Sequence, residues 1–274
     1  MDVSVVKVGG LKEPFSEEKL RQSVRRAGIP LKIHDEVVDH IKSRLHDDIS
    51  TEEIYGHILE FLGKSPYPFG AARYSLKKAV MDLGPTGFPF EKYVASILSR
   101  QGYKVDTNAI LRGLCISHEV DILAKKEGQE IMIECKFHNN IGNRTDVKVA
   151  LYVFARFQDL TTGWMSKTNT KRFKEVWLVT NTKATVDAIA YAQCMGMKIV
   201  SWGYPEKGNL QDMIEKDGLF PVTCLTSLSA FHKKLLLDNN IILTKDLLEK
   251  EMFIEILKLT DKEKSNLRSE LRSL

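Results

Sequence analysis

The chain has 274 residues, 43% of them apolar and 28% charged, with a formal net charge of +4. That length admits one to three domains with real cores, and the mild basicity permits nucleic-acid binding without demanding it. The four cysteines (Cys115, Cys135, Cys194 and Cys224) form no CxxC pair and no apolar run approaches a membrane span, so a zinc knuckle, a redox motif and a membrane anchor are set aside and a reducing cytoplasm is expected.

In chain order, residues 3–8 read as a β-branched strand. A turn at Gly9-Gly10 and a returning strand through Lys12-Glu13-Pro14-Phe15 follow. Ser16 with Glu17 and Glu18 reads as an N-cap with acids in the first helical turn, and that helix stops near Gly28-Ile29-Pro30. Amphipathic helices are expected at about 34–46 and 51–63, and another after Pro68. Gly84-Pro85-Thr86-Gly87 is the clearest linker signal. The stretch beginning Met1-Asp2-Val3 lacks the order of a secretory leader.

Beyond the linker, a helix carries Phe90, Val94, Ile97 and Leu98 on its apolar side and ends at Gln101-Gly102. A strand near 103–110 precedes two short strands with acids set into apolar flanks, Glu119-Val120-Asp121-Ile122-Leu123 and Ile131-Met132-Ile133-Glu134-Cys135-Lys136. A helix at 145–160, a strand at 176–180, a helix at 183–195 and a strand at 198–202 complete a mixed α/β sheet with helices on both faces, its last two strands joined by a parallel crossover. Residues 206–274 read as helical, with hydroxyl-capped helix starts at Leu225–Ser229 and Leu243–Thr244.

Alternate residues of a strand share a face. Glu119 and Asp121 therefore share one side, as do Glu134 and Lys136, while Ile133 and Cys135 point away. Such charges belong either to an exposed strand edge, where they are ordinary, or to a buried cluster that must be paired or hold a metal. Two carboxylates around a divalent cation, with a lysine beside it, is chemistry suited to phosphodiester hydrolysis. His118 and His138 flank the cluster and read as polar edge residues or phosphate contacts rather than ligands of a hard cation. Arg144, Lys148, Arg156, Lys167, Lys171 and Arg172 read as phosphate contacts near the site, and the segment from Lys167 to Lys174, with Trp164 and Phe173 nearby, reads equally as a solvated loop.

Residues 88–203 resemble the PD-(D/E)xK nucleases, and among them the Mrr-like branch of type IV restriction enzymes. The carriers are the helix with Phe90-Glu91 ending before Gly102-Tyr103, His118-Glu119-Val120-Asp121-Ile122, and Ile133-Glu134-Cys135-Lys136. The family's proline is replaced by Val120, and its glutamine has no clear counterpart, Gln158 lying on the next helix. The resemblance implies a restriction-endonuclease-like fold in which Asp121, Glu134 and Lys136 are catalytic and Glu91 is the helical acid. It implies Mg²⁺ or Mn²⁺ on Asp121, Glu134, the Cys135 backbone carbonyl and Glu91, with Cys135's own side chain as packing.

Residues 3–83 resemble the ATP-cone of ribonucleotide reductases and their repressors, through Val5-Val6-Lys7 to Gly10, Glu13-Pro14-Phe15-Ser16-Glu17-Glu18-Lys19-Leu20 and Ala72-Arg73-Tyr74. The turn reads Lys7-Val8-Gly9-Gly10, one basic residue short of the usual Lys-Arg-Asp-Gly. The resemblance implies ATP or dATP as a regulatory ligand. Lys7 and Lys19 would contact phosphates, Glu13 and Ser16 would lie along the nucleotide, and Thr51 and Tyr55 near the base or a second nucleotide. The expected organisation is an ATP-cone at 1–84, a nuclease domain at 88–205 and a helical region at 206–274 with a loose likeness to a helix-hairpin-helix. The expected function is a metal-dependent DNA endonuclease tuned by ATP or dATP, in a homo-oligomer away from membranes. The alternatives are an inactive nucleotide-sensing DNA-binding regulator and a nuclease for branched DNA or RNA.

Overall fold

The computed structural model describes residues 3–7, 10–66, 69–272 and 274. Expectations that touch residues outside that set include the stretch beginning Met1-Asp2, the strand at 3–8, of which 3–7 are described, the turn at Gly9-Gly10, of which Gly10 is described, and the helix after Pro68, described from Phe69. The chain runs β1 (Ser4–Val6), β2 (Lys12–Pro14), α1 (Glu17–Arg26), α2 (His34–Lys42), β3 (Ile49–Ser50), α3 (Thr51–Lys64) and α4 (Phe69–Met81). Next come α5 (Phe88–Arg100), β4 (Lys104–Arg112), β5 (Ser117–Lys126), β6 (Gln129–Lys136), β7 (Arg144–Thr145), α6 (Val147–Met165), β8 (Phe173–Thr180), β9 (Lys183–Ala184), α7 (Val186–Cys194) and β10 (Lys198–Val200). Short helices close it: α8 (Leu210–Lys216), α9 (Ala230–Asp238), α10 (Thr244–Glu249), α11 (Met252–Glu255) and α12 (Asp261–Arg272).

Two compact units result. One comprises residues 1–78, 224–229 and 258–274, the other residues 79–223 and 230–257, so the 206–274 region contributes to both. In the first unit β1 pairs antiparallel with β2 and parallel with β3. Apolar faces of α1, α2 and α3 supply its core, with Val24, Val37, Ile41 and Leu62 wholly buried. Ser16 caps α1 as expected, its Oγ accepting the Lys19 N–H at 3.3 Å. The expected helix start at 225–229 is followed directly by α9, which begins at Ala230, and the N–H groups of Thr226 and Ser227 go to the Glu270 carboxylate, at 2.6 and 3.0 Å.

The second unit is built on a five-stranded mixed sheet in the order β10-β8-β6-β5-β4. β4, β5 and β6 form an antiparallel meander, while β6, β8 and β10 run parallel through the crossovers of α6 and α7. Met132, Leu178 and Ile199 pack with Ala150, Val153 and Phe154 of α6 on one face. The apolar positions read from the sequence of α5, Phe90, Val94, Ile97 and Leu98, are all buried. Arg156 of α6 pairs with Glu134 near the end of β6, and Glu91 of α5 acts on the same carboxyl group.

Candidate active site and nucleotide pocket

The active-site geometry begins with a ladder that stops. β5 and β6 pair from Lys126↔Gln129 to Ile122↔Ile133 and no further. Past that point β5 continues with β4 alone, to Arg112↔Ser117, and β6 with β8 alone, to Lys136↔Thr180. The strands part at the acidic residues. Asp121 Oδ2 takes the Cys135 N–H at 2.7 Å, replacing the backbone acceptor that a continued ladder would supply. Met132 packs on α6, so Glu134, two residues on, shares that face; a guanidinium nitrogen of Arg156, on α6, pairs with Glu134 Oε1. Lys136 ends the strand with an exposed side chain. Glu91 sits in the first turn of α5.

These carboxylates feel one another. Burial, then Asp121 and more weakly Glu91, push Glu134 up to about 8 against the pull of Arg156. Asp121 is raised by burial, opposed by the Cys135 N–H and by Arg156. Glu91 is raised by burial and by Asp121, and an Asn108 hydrogen bond opposes this. Burial pushes the Cys135 thiol well up, so it stays neutral. Glu134 Oε2 is buried with no hydrogen-bond partner among the described residues. An acceptor-only oxygen left bare inside a carboxylate cluster suits a hard cation. Among the described residues no three His, Cys, Asp or Glu side chains form a ready metal cage. Asp121 and Glu134 are the two carboxylates at the opening, and Glu91 interacts with both.

His118 and His138 have structural partners. His118 Nε2 meets Asp159 Oδ2 at 2.7 Å, and Asp159 also accepts the Cys115 and Ile116 N–H groups, pinning the turn between β4 and β5. Those bonds hold its carboxyl down at about 2. His138 meets Thr145 Oγ1 at 2.9 Å, and burial followed by the nearby Lys136 lowers its pKa.

The basic region divides. Arg144 and Lys148 are exposed near the end of the sheet where β6 finishes. Lys171 reaches Glu130 at 3.5 Å, four residues before Glu134 and thus about 13 Å back along the strand. Arg172 lies over the Trp164 ring at 4.9 Å, and Phe173 is a core residue rather than a nucleic-acid contact. Because β8 runs parallel to β6, its entry loop meets the opposite end of the strand from the acids. Arg156 faces Glu134, whereas Gln158 on the same helix is exposed.

Asn108 is a site residue that sequence reasoning passed over. It stands in mid-strand at φ 55°, donates to Glu119 Oε1 at 3.3 Å and also reaches Glu91. The available signal was the residue type, since asparagine tolerates the left-handed region and is depleted in strands.

In the first unit, Lys7, Glu13, Ser16, Lys19, Thr51 and Tyr55 all line one cavity of about 240 Å³. Glu13 lies between Lys19 at 2.8 Å and Lys7 at 3.3 Å, which hold its carboxyl below the usual range, Lys19 first. Tyr55 stacks on Tyr74 with centroids 5.4 Å apart, and the Tyr74 hydroxyl meets Ser23 Oγ at 3.0 Å. Val5, Leu20 and Ile58 form the apolar floor. Lysines at a helix N-terminus beside aromatic and apolar walls can take a phosphate at one end and a base at the other.

Comparison with known proteins follows the same division. A family model described as an ATP cone domain matches residues 3–80, one described as a restriction endonuclease matches residues 85–203, and one described as AF1548-like, C-terminal, matches residues 220–274. An uncharacterised protein of Archaeoglobus fulgidus is 39% identical over 132 residues, 48% of this chain and 71% of the relative. A crystal structure described as that of AF1548, a protein of unknown function, is 31% identical with a TM-score of 0.56, covering 68% of this chain and 97% of that one.

Proposed function

The chain carries an ATP cone domain followed by an Mrr-type restriction-endonuclease domain and belongs to the family of the Archaeoglobus fulgidus protein, and from that premise we propose a divalent-metal-dependent DNA endonuclease whose activity responds to ATP or dATP. The observation that carries this reading is the parting of β5 and β6 beyond Ile122 and Ile133, where Asp121 accepts the Cys135 N–H and the buried Glu134 keeps a carboxylate oxygen unpartnered.

Asp121, Glu134 and the Cys135 carbonyl would hold the cation, which when bound supplies positive charge to the scissile phosphate and acidifies a water. The chain's own groups do the rest. The Cys135 N–H fixes Asp121 in orientation at 2.7 Å. Lys136, at the exposed rim, directs its ammonium toward the attacking water and the charge that gathers on phosphorus-bound oxygen. Water adds across the P–O bond, its hydroxyl going to phosphorus and its proton to the departing oxygen. Arg144 and Lys148 are placed to contact backbone phosphates and fix register without reading sequence. In the cone, Lys7 and Lys19 exchange Glu13 for the nucleotide phosphates, while Tyr55 and the apolar floor take the base.

Duplex, branched and single-stranded DNA and matching RNA, each incubated with the full chain in Mg²⁺, Mn²⁺ or EDTA, test the reading. Cleavage of duplex DNA that EDTA abolishes is expected. Cleavage that survives EDTA would remove the cation from the account, and cleavage confined to branched DNA or RNA would replace the substrate.

A further inference from the structure

Arg156 lies in the middle of the acidic cluster. Its side chain is 12% exposed and that of Glu134 13%. One guanidinium nitrogen meets Glu134 Oε1 and another donates to the Glu119 backbone carbonyl, so the fork spans the opening between β5 and β6. The guanidinium also lies 5.0 Å from the centroid of the Tyr152 ring, one helical turn back on α6. Tyr152 is 54% exposed and makes the outer side of that contact.

A divalent ion entering between Asp121 and Glu134 meets this resident positive charge, which cannot be shed by deprotonation. The ion and the fork compete for the same carboxylate. Resting on the exposed Tyr152 face, the displaced guanidinium would remain beside the site, and its planar fork matches a phosphate oxygen pair as well as it matches a carboxylate. Building on the nuclease reading above, we propose that Arg156 is a transferable counter-cation, seated on Glu134 until a divalent ion arrives and then turned along Tyr152 onto the substrate phosphate. Cation and DNA binding are coupled through one side chain.

The consequence is a pair of effects with opposite signs. Calorimetry with Mn²⁺, and binding of an uncleaved duplex oligonucleotide in Ca²⁺, would be measured on the full chain as wild type, Arg156→Gln and Tyr152→Ala. Glutamine removes the charge and keeps a planar donor for Glu134. It is expected to tighten Mn²⁺ binding by at least about tenfold, because the competing charge is gone. It is expected to weaken duplex binding by about tenfold, because a charged fork on phosphate is lost. Tyr152→Ala, at an exposed position that folding tolerates, is expected to leave Mn²⁺ binding unchanged and to lower duplex affinity about two- to fivefold. An arginine that merely holds Glu134 in place would make both affinities fall in the glutamine variant. Equal or weaker Mn²⁺ binding there, with cation uptake intact in the wild type, overturns this inference alone. Absence of Mn²⁺ uptake from both proteins overturns it together with the metal-dependent nuclease reading.

Discussion

Burying a carboxylate with one oxygen on an arginine and the other on nothing is costly in an ordinary core, and Glu134 is such a residue. Its neighbours Asp121 and Glu91 raise the cost, which makes the cluster a candidate site for an incoming positive charge. Lys136 carries the most specific consequence. Its side chain is exposed, so Lys136→Ala should leave the denaturation midpoint unchanged while lowering the cleavage rate by roughly 10²–10³-fold, as loss of one charge-stabilising donor does. Asp159 gives a prediction that depends on folding alone. Its folded carboxyl lies near 2, below the usual carboxylate value, so its bonds to His118 and the turn contribute stability above about pH 4 that is lost as pH falls towards 2. Thermal melts of Asp159→Asn should therefore fall below the wild type at neutral pH and converge with it in acid. A gap that persists at pH 2 would contradict this.

Among elements, β4 and β5 shape the site through a single residue in the left-handed region. Asn108 at φ 55° falls between the Thr107↔Ile122 and Ala109↔Val120 pairs of the β4–β5 register. Asn108→Val should destabilise by about 1–2 kcal/mol more than Asn108→Gly in urea titration, because an L-residue with a branched Cβ resists that backbone region and glycine does not. Equal midpoints would show that the backbone there adjusts freely. Much of this layout was legible beforehand. The apolar flanks of β5 and β6, the Ser16 cap and the four buried positions of α5 follow from local periodicity and capping chemistry, which act within a few residues. The early end of the β5–β6 ladder was not legible, since it depends on which strand each partner chooses beyond Ile122 and Ile133. The two-residue strands β3, β7 and β9 are too short to carry a period. The charge of Arg156 is visible in sequence, whereas its rotation around α6 toward Glu134 is not. The 167–172 loop was placed beside the acids by its charge, whereas the parallel course of β8 sends Lys171 to Glu130.

Across the whole molecule, a cone pocket and a nuclease site share one chain, and no helix among the described residues is long and apolar enough to cross a membrane. All six residues expected at the nucleotide line a single cavity, although the turn ahead of it has one basic residue fewer than is usual. Calorimetry with ATP and dATP should show binding that Lys7→Ala with Lys19→Ala removes, and the nucleotide should change the cleavage rate without being hydrolysed, since the chain has no GxxxxGK[ST] loop. Heat with neither nucleotide, from protein that still cleaves DNA, would take the regulatory ligand out of the account. The nuclease itself is tested most directly with supercoiled plasmid in Mg²⁺ or Mn²⁺, comparing the full-length wild type with Asp121→Ala and Lys136→Ala. The wild type should nick or linearise the plasmid while Asp121→Ala leaves it intact and Lys136→Ala barely converts it. Equal conversion by all three, or none by the wild type with either cation, would contradict the claim that the opening between β5 and β6 is a phosphodiesterase centre.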